Sequence, residues 1–384
     1  MTVLNPKNID YLVSHSTFVL VGSKDLNILE KKLKNLGFTR IIKTADLDDL
    51  IYTIASQKPD FCIIHEEDHF QAMRYASSVS ALSPIPILAI ISPDFEGIWR
   101  SGISDILSES YSDQEFMARI FSDLKLYHMD AIFKKYMGNL DKDLTRAQEL
   151  QQKLLPQKET LEIIENRYGV SIQSIFTPFH FLSGDLWGIY LVDNSNFDIW
   201  IADFSGKGIS AALNTFRLHT LVARTVNPKL EPHELMEALN SKAMDLLKYG
   251  EFITMLYARI NVEEKKITFC SAGAMPPLIY KNELNAYRTI QESSPPLGVR
   301  EKTSYGSKNV FFDNSEKLVL FSDAFDTDNP EAILSTHKDR IKSYLSDPEN
   351  TSFLAYINKI VSNFKGHELE DDLTVIEIDF KRIS

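Results

Sequence analysis

The chain has 384 residues and is 44 % hydrophobic, enough for two or three domains that each bury a core. A formal charge of −12 without a dense Lys/Arg run excludes a broad nucleic-acid surface, which needs a basic face. No apolar run reaches the ~18 residues of a membrane span and no signal-peptide pattern opens the chain, so a cytoplasmic protein without membrane contact is expected.

Residues 1–15 read as a short tail. From 16 to 125, short apolar runs alternate with helical patterns. The runs are Phe18–Val21, Ile41–Ile42, Phe61–Ile64, Ile87–Ile91 and Ile106–Leu107. Between the first two, Leu26, Leu29, Leu33 and Leu36 repeat at helical spacing, and Gly37 stops the helix. Strands alternating with helices predict a parallel sheet with helices on both faces, of flavodoxin-like size.

The next segment, 126–158, reads as a helical linker. Phe133, Met137, Leu140, Leu144, Ala147, Gln151 and Leu154 alternate at spacings of four and three. That is a coiled-coil seam with one polar interruption, Gln151, and Pro156 ends it. The seam predicts a parallel homodimer through this helix, with its end near Leu150–Leu155 packing on the following domain.

From 159 to 384 the pattern changes to paired strands and grouped helices. Strands are expected at 170–176, 186–192, 198–203, 253–261, 266–271, 276–280, 309–313, 317–322 and 373–379. Helices are expected near 208–225, 232–248 and 351–364, which together make a layered α+β domain. Cys62 and Cys270 each sit inside an apolar run, so they read as buried free thiols in a reducing compartment.

Carboxylates collect at the predicted strand edges of this second domain. Asp185 precedes the strand at 186, Asp203 ends the run Ile199–Ala202, Asp323 follows Leu318–Ser322, and Asp371-Asp372 precede Leu373–Ile376. Gathered carboxylates repel one another unless a cation lies between them. An all-oxygen set without His or Cys suits Mg²⁺ or Mn²⁺, not Zn²⁺.

The blocks around them are SGDLWG from Ser183, IADFSGKGISAAL from Ile201, FITMLYARI from Phe252, SAGAMPPLIY from Ser271, SPPLGV from Ser294, LVLFSDA from Leu318 and EDDLTVIEI from Glu370. Their order and spacing resemble the SpoIIE-type serine/threonine phosphatases of the protein phosphatase 2C superfamily. AQELQQKLLPQ from Ala147 resembles the helix that leads into such domains. The resemblance implies a four-layer αββα sandwich and two Mn²⁺ or Mg²⁺ ions. It implies that Asp203 bridges both ions beside the carbonyl of Phe204, that Asp185 binds one, and that Asp323 and Asp371 bind the other. Asp203 and Asp185 would be the catalytic pair, with Gly206 and Lys207 in a loop near the phosphate. It also implies a phosphorylated protein substrate, such as a STAS-domain anti-sigma antagonist in a partner-switching pathway.

Four departures from the family pattern stand out. Ala324 replaces the usual Gly after the third-site Asp, Gly188 stands where a second Asp is frequent, and Ala274 replaces a His. The phosphate-binding Arg of the eukaryotic relatives has no counterpart. Ala324 would be strained if its φ were positive. A catalytically degenerate domain acting as an adaptor or sequestering protein is therefore the alternative reading.

The first domain resembles the receivers of response regulators in its element order. Aligned on Pro59–Ile64, the phospho-acceptor position holds His65, so no acceptor is present. Gly22, Ser23 and Lys24 replace the acidic pair, Ile91 with Ser92 stands at the Ser/Thr position, and Glu109 replaces the Lys. A pseudo-receiver that binds a regulatory protein is implied. His65-Glu66-Glu67-Asp68-His69 matches the zinc-protease string H-E-x-x-H, but it starts on a strand end, where the two His cannot share a helix face.

Overall fold

The computed structural model describes residues 9–91, 98–206, 208–281, 286–291, 294–325, 354, 357 and 371–380. The chain divides into two compact units, Met1–Asp141 and Lys142–Ser384.

The first unit opens with a helix, α1 (Ile9–His15), where a tail was expected; Leu12 is buried, which holds it in place. Then come β1 (Thr17–Val21), α2 (Leu26–Asn35), β2 (Arg40–Lys43), α3 (Leu47–Gln57), β3 (Phe61–His65), α4 (His69–Leu82), β4 (Ile87–Ile90) and β5 (Asp105–Leu107). The sheet runs β2-β1-β3-β4-β5 and every neighbouring pair is parallel. Both faces of its central strands are covered, which is why β1, β3 and β4 are unbroken apolar runs. Asp25, Asp46 and Asp68 cap α2, α3 and α4 by accepting from first-turn N–H groups. His65 ends β3 and His69 opens α4, so they share no helix face, as the sequence suggests.

The helix α5 (Asp113–Gln152) is one piece of 40 residues. The boundary expected at 125/126 falls inside it, because nothing in the sequence there breaks a helix. Phe116, Ile120 and Leu124 bury its first part in the first unit. Beyond them Phe133 and Tyr136 are 62 % and 66 % exposed.

The second unit continues with α6 (Lys158–Tyr168), β6 (Ser171–Thr177), β7 (Asp185–Leu191), β8 (Asn196–Phe204), α7 (Ile209–Thr225), α8 (Pro232–Ala243), β9 (Ile253–Asn261) and β10 (Lys266–Ala272). It ends with β11 (Leu278–Lys281), β12 (Ala286–Thr289), β13 (Lys308–Phe311), β14 (Lys317–Phe321) and β15 (Leu373–Asp379). The strand β12 was not expected; its four residues carry only one strongly apolar side chain.

Two five-stranded sheets, β13-β10-β9-β8-β7 and β12-β11-β14-β15-β6, lie face to face. Strand alternation decides which residue goes where. Trp187, Ile199, Ile201 and Leu256 meet Ile172, Leu318, Leu320 and Ile376 between the sheets. Their neighbours Leu186, Trp200, Ala202 and Tyr257 turn the other way and pack against Leu218 and Val222 of α7 and Leu235 and Leu239 of α8. Leu354 and Ile357 cover the outer face of the second sheet. The rest of the helix expected at 351–364 lies outside the described residues.

Candidate metal centre

The antiparallel register of β7 and β8 sets Asp185 directly opposite Asp203. Both share the strand parity of Trp187 and Ile201, so they face the space between the sheets at its open end. Asp185 is 1 % exposed, and its Oδ2 is buried without a hydrogen-bond partner. Burial, then the Asp203 charge, push its carboxyl well above the usual range. Burial pushes Asp203 up to about 8, helped by Asp323, Asp371 and Asp372.

The remaining carboxylates arrive from the second sheet. Asp323 opens a 3₁₀ turn, Asp323–Phe325, just after β14, and Asp371-Asp372 lead into β15. Ser322 fastens these two edges together. Its N–H donates to the Thr374 carbonyl at 2.9 Å, and its Oγ accepts from Thr374 N–H at 2.9 Å and donates to the Asp372 carbonyl at 3.1 Å.

Asp372 was named beside Asp371 in the sequence but given no role there, yet it holds the loop before Asp185 in place. Its Oδ1 accepts from Phe179 N–H at 2.7 Å and its Oδ2 from Gly184 N–H at 2.6 Å. A Cβ on Gly184 would stand 3.4 Å from Asp203 Oδ1 and 3.4 Å from the Phe204 carbonyl oxygen, so that carbonyl and that carboxylate border one small space. Close by, a cavity of about 60 Å³ is lined by Asp203, Thr254, Gly273, Ala274, Ser322 and Asp323.

After Phe204 the chain turns through Ser205, whose N–H donates to the Phe252 carbonyl at 2.9 Å and whose Oγ accepts from Phe252 N–H at 2.7 Å. Gly206 and Gly208 have φ of 98° and 89°, which only glycine adopts without strain. Lys207 lies outside the described residues. A second hollow of about 400 Å³, bordered by Ser205, Gly206, Ser210, Asn214, Tyr249 and Glu251, opens beside this loop.

Among the described residues, no three His, Cys, Asp or Glu side chains already converge closely enough to hold an ion. The donor chemistry nonetheless fits a hard divalent cation. The set is all oxygen, one buried carboxylate oxygen lacks a partner, and the carboxylates raise one another's pKa. A cation relieves all three conditions at once.

Two of the departures have structural explanations. Gly188 pairs with Trp200 on the helix-covered face, opposite in parity to Asp185. A Cβ there would come within 2.7 Å of the Trp200 ring, so an acid at 188 would clash and would point away from the site. Ala324 is absent from the non-glycine residues with positive φ and lies in the 3₁₀ turn, where it packs on the outer face of the second sheet. The strain considered for it is not there. Ala324→Gly is expected to leave Mn²⁺ affinity unchanged and to cost about 0.5–1 kcal/mol of stability, read from calorimetric titration and denaturant melts.

Gln151 also differs from its sequence reading. It is fully buried at the end of α5, where it bonds the Asp185 loop within the second unit and interrupts no seam between helices. Leu154 and Leu155 do pack on the core of this unit, as expected. The signal available in the sequence was a lone polar side chain in an apolar row.

Two stacked antiparallel sheets with strand-edge carboxylates facing the gap define a protein phosphatase 2C fold. The SiaA-PP2C domain of Pseudomonas aeruginosa shares this fold with a TM-score of 0.54 at 14 % identity, over 64 % of this chain and 98 % of that one. Residues 193–381 match the Stage II sporulation protein E (SpoIIE) family, and the second unit is a SpoIIE-type domain. Phosphoserine phosphatase RsbP of Bacillus subtilis (strain 168) is 27 % identical over 240 residues, 62 % of this chain and 58 % of RsbP. Phosphoserine phosphatase RsbU of the same strain is 29 % identical over 181 residues, 46 % of this chain and 51 % of RsbU. The chain thus spans little more than half the length of these relatives.

Proposed function

We propose that the second unit is a Mn²⁺- or Mg²⁺-dependent phosphatase acting on phosphoserine or phosphothreonine of a protein partner. The observation that carries this reading is the buried Asp185–Asp203 pair across β7 and β8, with its unpartnered oxygen. Asp203 would bridge two ions beside the Phe204 carbonyl, Asp185 would hold one, and Asp323 and Asp371 the other. Bound there, the ions supply a water of lowered pKa and neutralise phosphoryl oxygens. Asp372 keeps Gly184 and Phe179 in place, and the two positive-φ glycines leave room for a phosphorylated chain to approach. The open hollow beside Gly206 would receive the residues flanking the phosphate; Lys207, which the resemblance puts near the phosphate, lies outside the described residues. Similarity to RsbP and RsbU supports a place in partner-switching signalling, with a phosphorylated STAS-domain antagonist as substrate. The adaptor alternative loses two of its supports, since neither Gly188 nor Ala324 disturbs the carboxylates; Ala274 and the missing phosphate-binding Arg are what remain of it. Stripping the full chain with EDTA should abolish hydrolysis of a generic phosphomonoester, and Mn²⁺ should restore it. Turnover that persists in EDTA would refute the reading.

The first unit would act as a receiver-like input domain without phosphorylation chemistry, taking a regulatory protein instead. Its parallel sheet with the order β2-β1-β3-β4-β5 supports this reading. The acceptor position is His65, half-buried at the end of β3, and the neighbouring Glu66 accepts from Ser23 N–H at 3.0 Å. Treatment with acetyl phosphate is expected to leave residues 60–70 unlabelled; acid-labile phosphate mapped there by mass spectrometry would refute this. The exposed middle of α5 would pair two copies in parallel, in the cytoplasm. Among the described residues no helix is long and apolar enough to cross a membrane.

A further inference from the structure

The end of α5 makes an unusually specific bond to the candidate site. The Gln151 side chain is 0 % exposed. Its Oε1 accepts from Ser183 N–H at 3.0 Å, and its Nε2 donates to the Ser183 carbonyl at 2.6 Å. The same Nε2 donates to Thr215 Oγ1 at 3.0 Å, and Thr215 Oγ1 donates on to the Ala212 carbonyl at 2.6 Å. The amide therefore pairs with Ser183 on both sides of one residue, as a neighbouring strand would. Ser183 is two residues before Asp185, and its Oγ accepts from Asp185 N–H at 3.0 Å. Thr215 is in α7, the helix that begins at Ile209, just after Gly208.

We propose that Gln151 is a positioning residue, which ties the last turn of α5 to both the Asp185 loop and α7 and so sets how tightly the site holds its divalent cation. This deepens the metal-dependent phosphatase reading and rests on it. The chemistry of the side chain makes the role exacting. Only a primary amide offers an acceptor and two donors in one plane; Glu lacks the donors and Met lacks both. A buried Ser183 carbonyl or N–H left unpaired is costly, so the loop shifts to find another partner. Asp372 grips the same loop from the second sheet through Gly184 N–H, so the position of Asp185 is set between two holds that come from different parts of the fold. Releasing one hold moves Asp185 relative to Asp203 without removing a ligand.

The test uses the full chain, with Mn²⁺ binding followed by titration calorimetry and thermal melts run in EDTA. Gln151→Met is expected to weaken Mn²⁺ binding by about tenfold or more, as loss of a group that orients a metal ligand does. Thr215→Val removes one of the three bonds and should weaken binding in the same direction by about threefold. Turnover at saturating Mn²⁺ should return to within about threefold of wild type in both, because every ligand is still present. A purely structural anchor would lower the melting temperature in EDTA and leave the Mn²⁺ dissociation constant unchanged; that result in both variants overturns the role of Gln151. If Gln151→Met fails to fold, Thr215→Val decides by the same criterion. A wild-type chain that takes up no Mn²⁺ overturns the metal-site reading, and the role of Gln151 with it.

Discussion

Asp203→Asn is expected to abolish Mn²⁺-dependent turnover while making the metal-free protein more stable. The first effect follows from losing the charge placed between both halves of the site. Several kcal/mol of transition-state stabilisation go with it, a fall of roughly a thousandfold or more. The second effect follows from the pKa of Asp203, pushed from its ordinary 3.8 up to about 8, by burial first and then by its acidic neighbours. Between those values the folded state keeps a proton that the unfolded state has released. Folding stability from this group is present below pH 3.8 and is lost as pH rises towards 8. Asn carries no such penalty. In EDTA at neutral pH the variant should melt several degrees above wild type, with the gap widening from pH 5 to pH 7.5. Adding Mn²⁺ should reverse the order, by raising the wild-type melting point alone. Equal melting points in EDTA, or full Mn²⁺-dependent activity in the variant, would show that Asp203 is not at the metal centre.

Leu140→Glu combined with Leu144→Glu is expected to convert a dimer into monomers. Leu126, Met129, Phe133 and Met137 are exposed on α5, with Leu140, Leu144 and Ala147 half-buried further along the same row. The spacings run three, four, four, three, four and three, which keeps the row on one side of the helix. The first third of α5 buries its apolar residues in the first unit; a second helix would let this middle part do the same. In a parallel pair the double variant replaces four leucines with four carboxylates facing one another. At roughly 1.5–3 kcal/mol per buried leucine, a seam of about three heptads does not survive that loss. Light scattering at tens of micromolar should give twice the chain mass for wild type and the chain mass for the variant. A monomeric wild type, or a variant that stays dimeric, would remove the coiled coil from the account.

Most strands of the second unit were legible because they are short runs dominated by apolar residues; β12, with only one strongly apolar side chain, was not. The four carboxylates stand out in the sequence because an acid at a strand end breaks such a run abruptly. What local pattern could not show was which face a residue takes once strands pair. Gly188 reads as a lost acid until Trp200 is seen opposite it. Ala324 reads as strained until its turn is seen to be a 3₁₀ one. Asp372 and Gln151 were hidden because their partners, Gly184 and Ser183, are 188 and 32 residues away. The single helix from Asp113 to Gln152 was split because its apolar row changes side along its length.

The contact between position 188 and the Trp200 indole has a consequence for how relatives of this chain vary. With a Cβ at 188 set to fall 2.7 Å from the ring, the two positions cannot drift independently. A side chain at 188 needs the indole to shift or to give way to something smaller, and an indole in this place favours glycine at 188. An acid at 188 in a relative is thus expected together with a smaller residue at 200, and it would speak of that cross-strand packing before it spoke of catalysis.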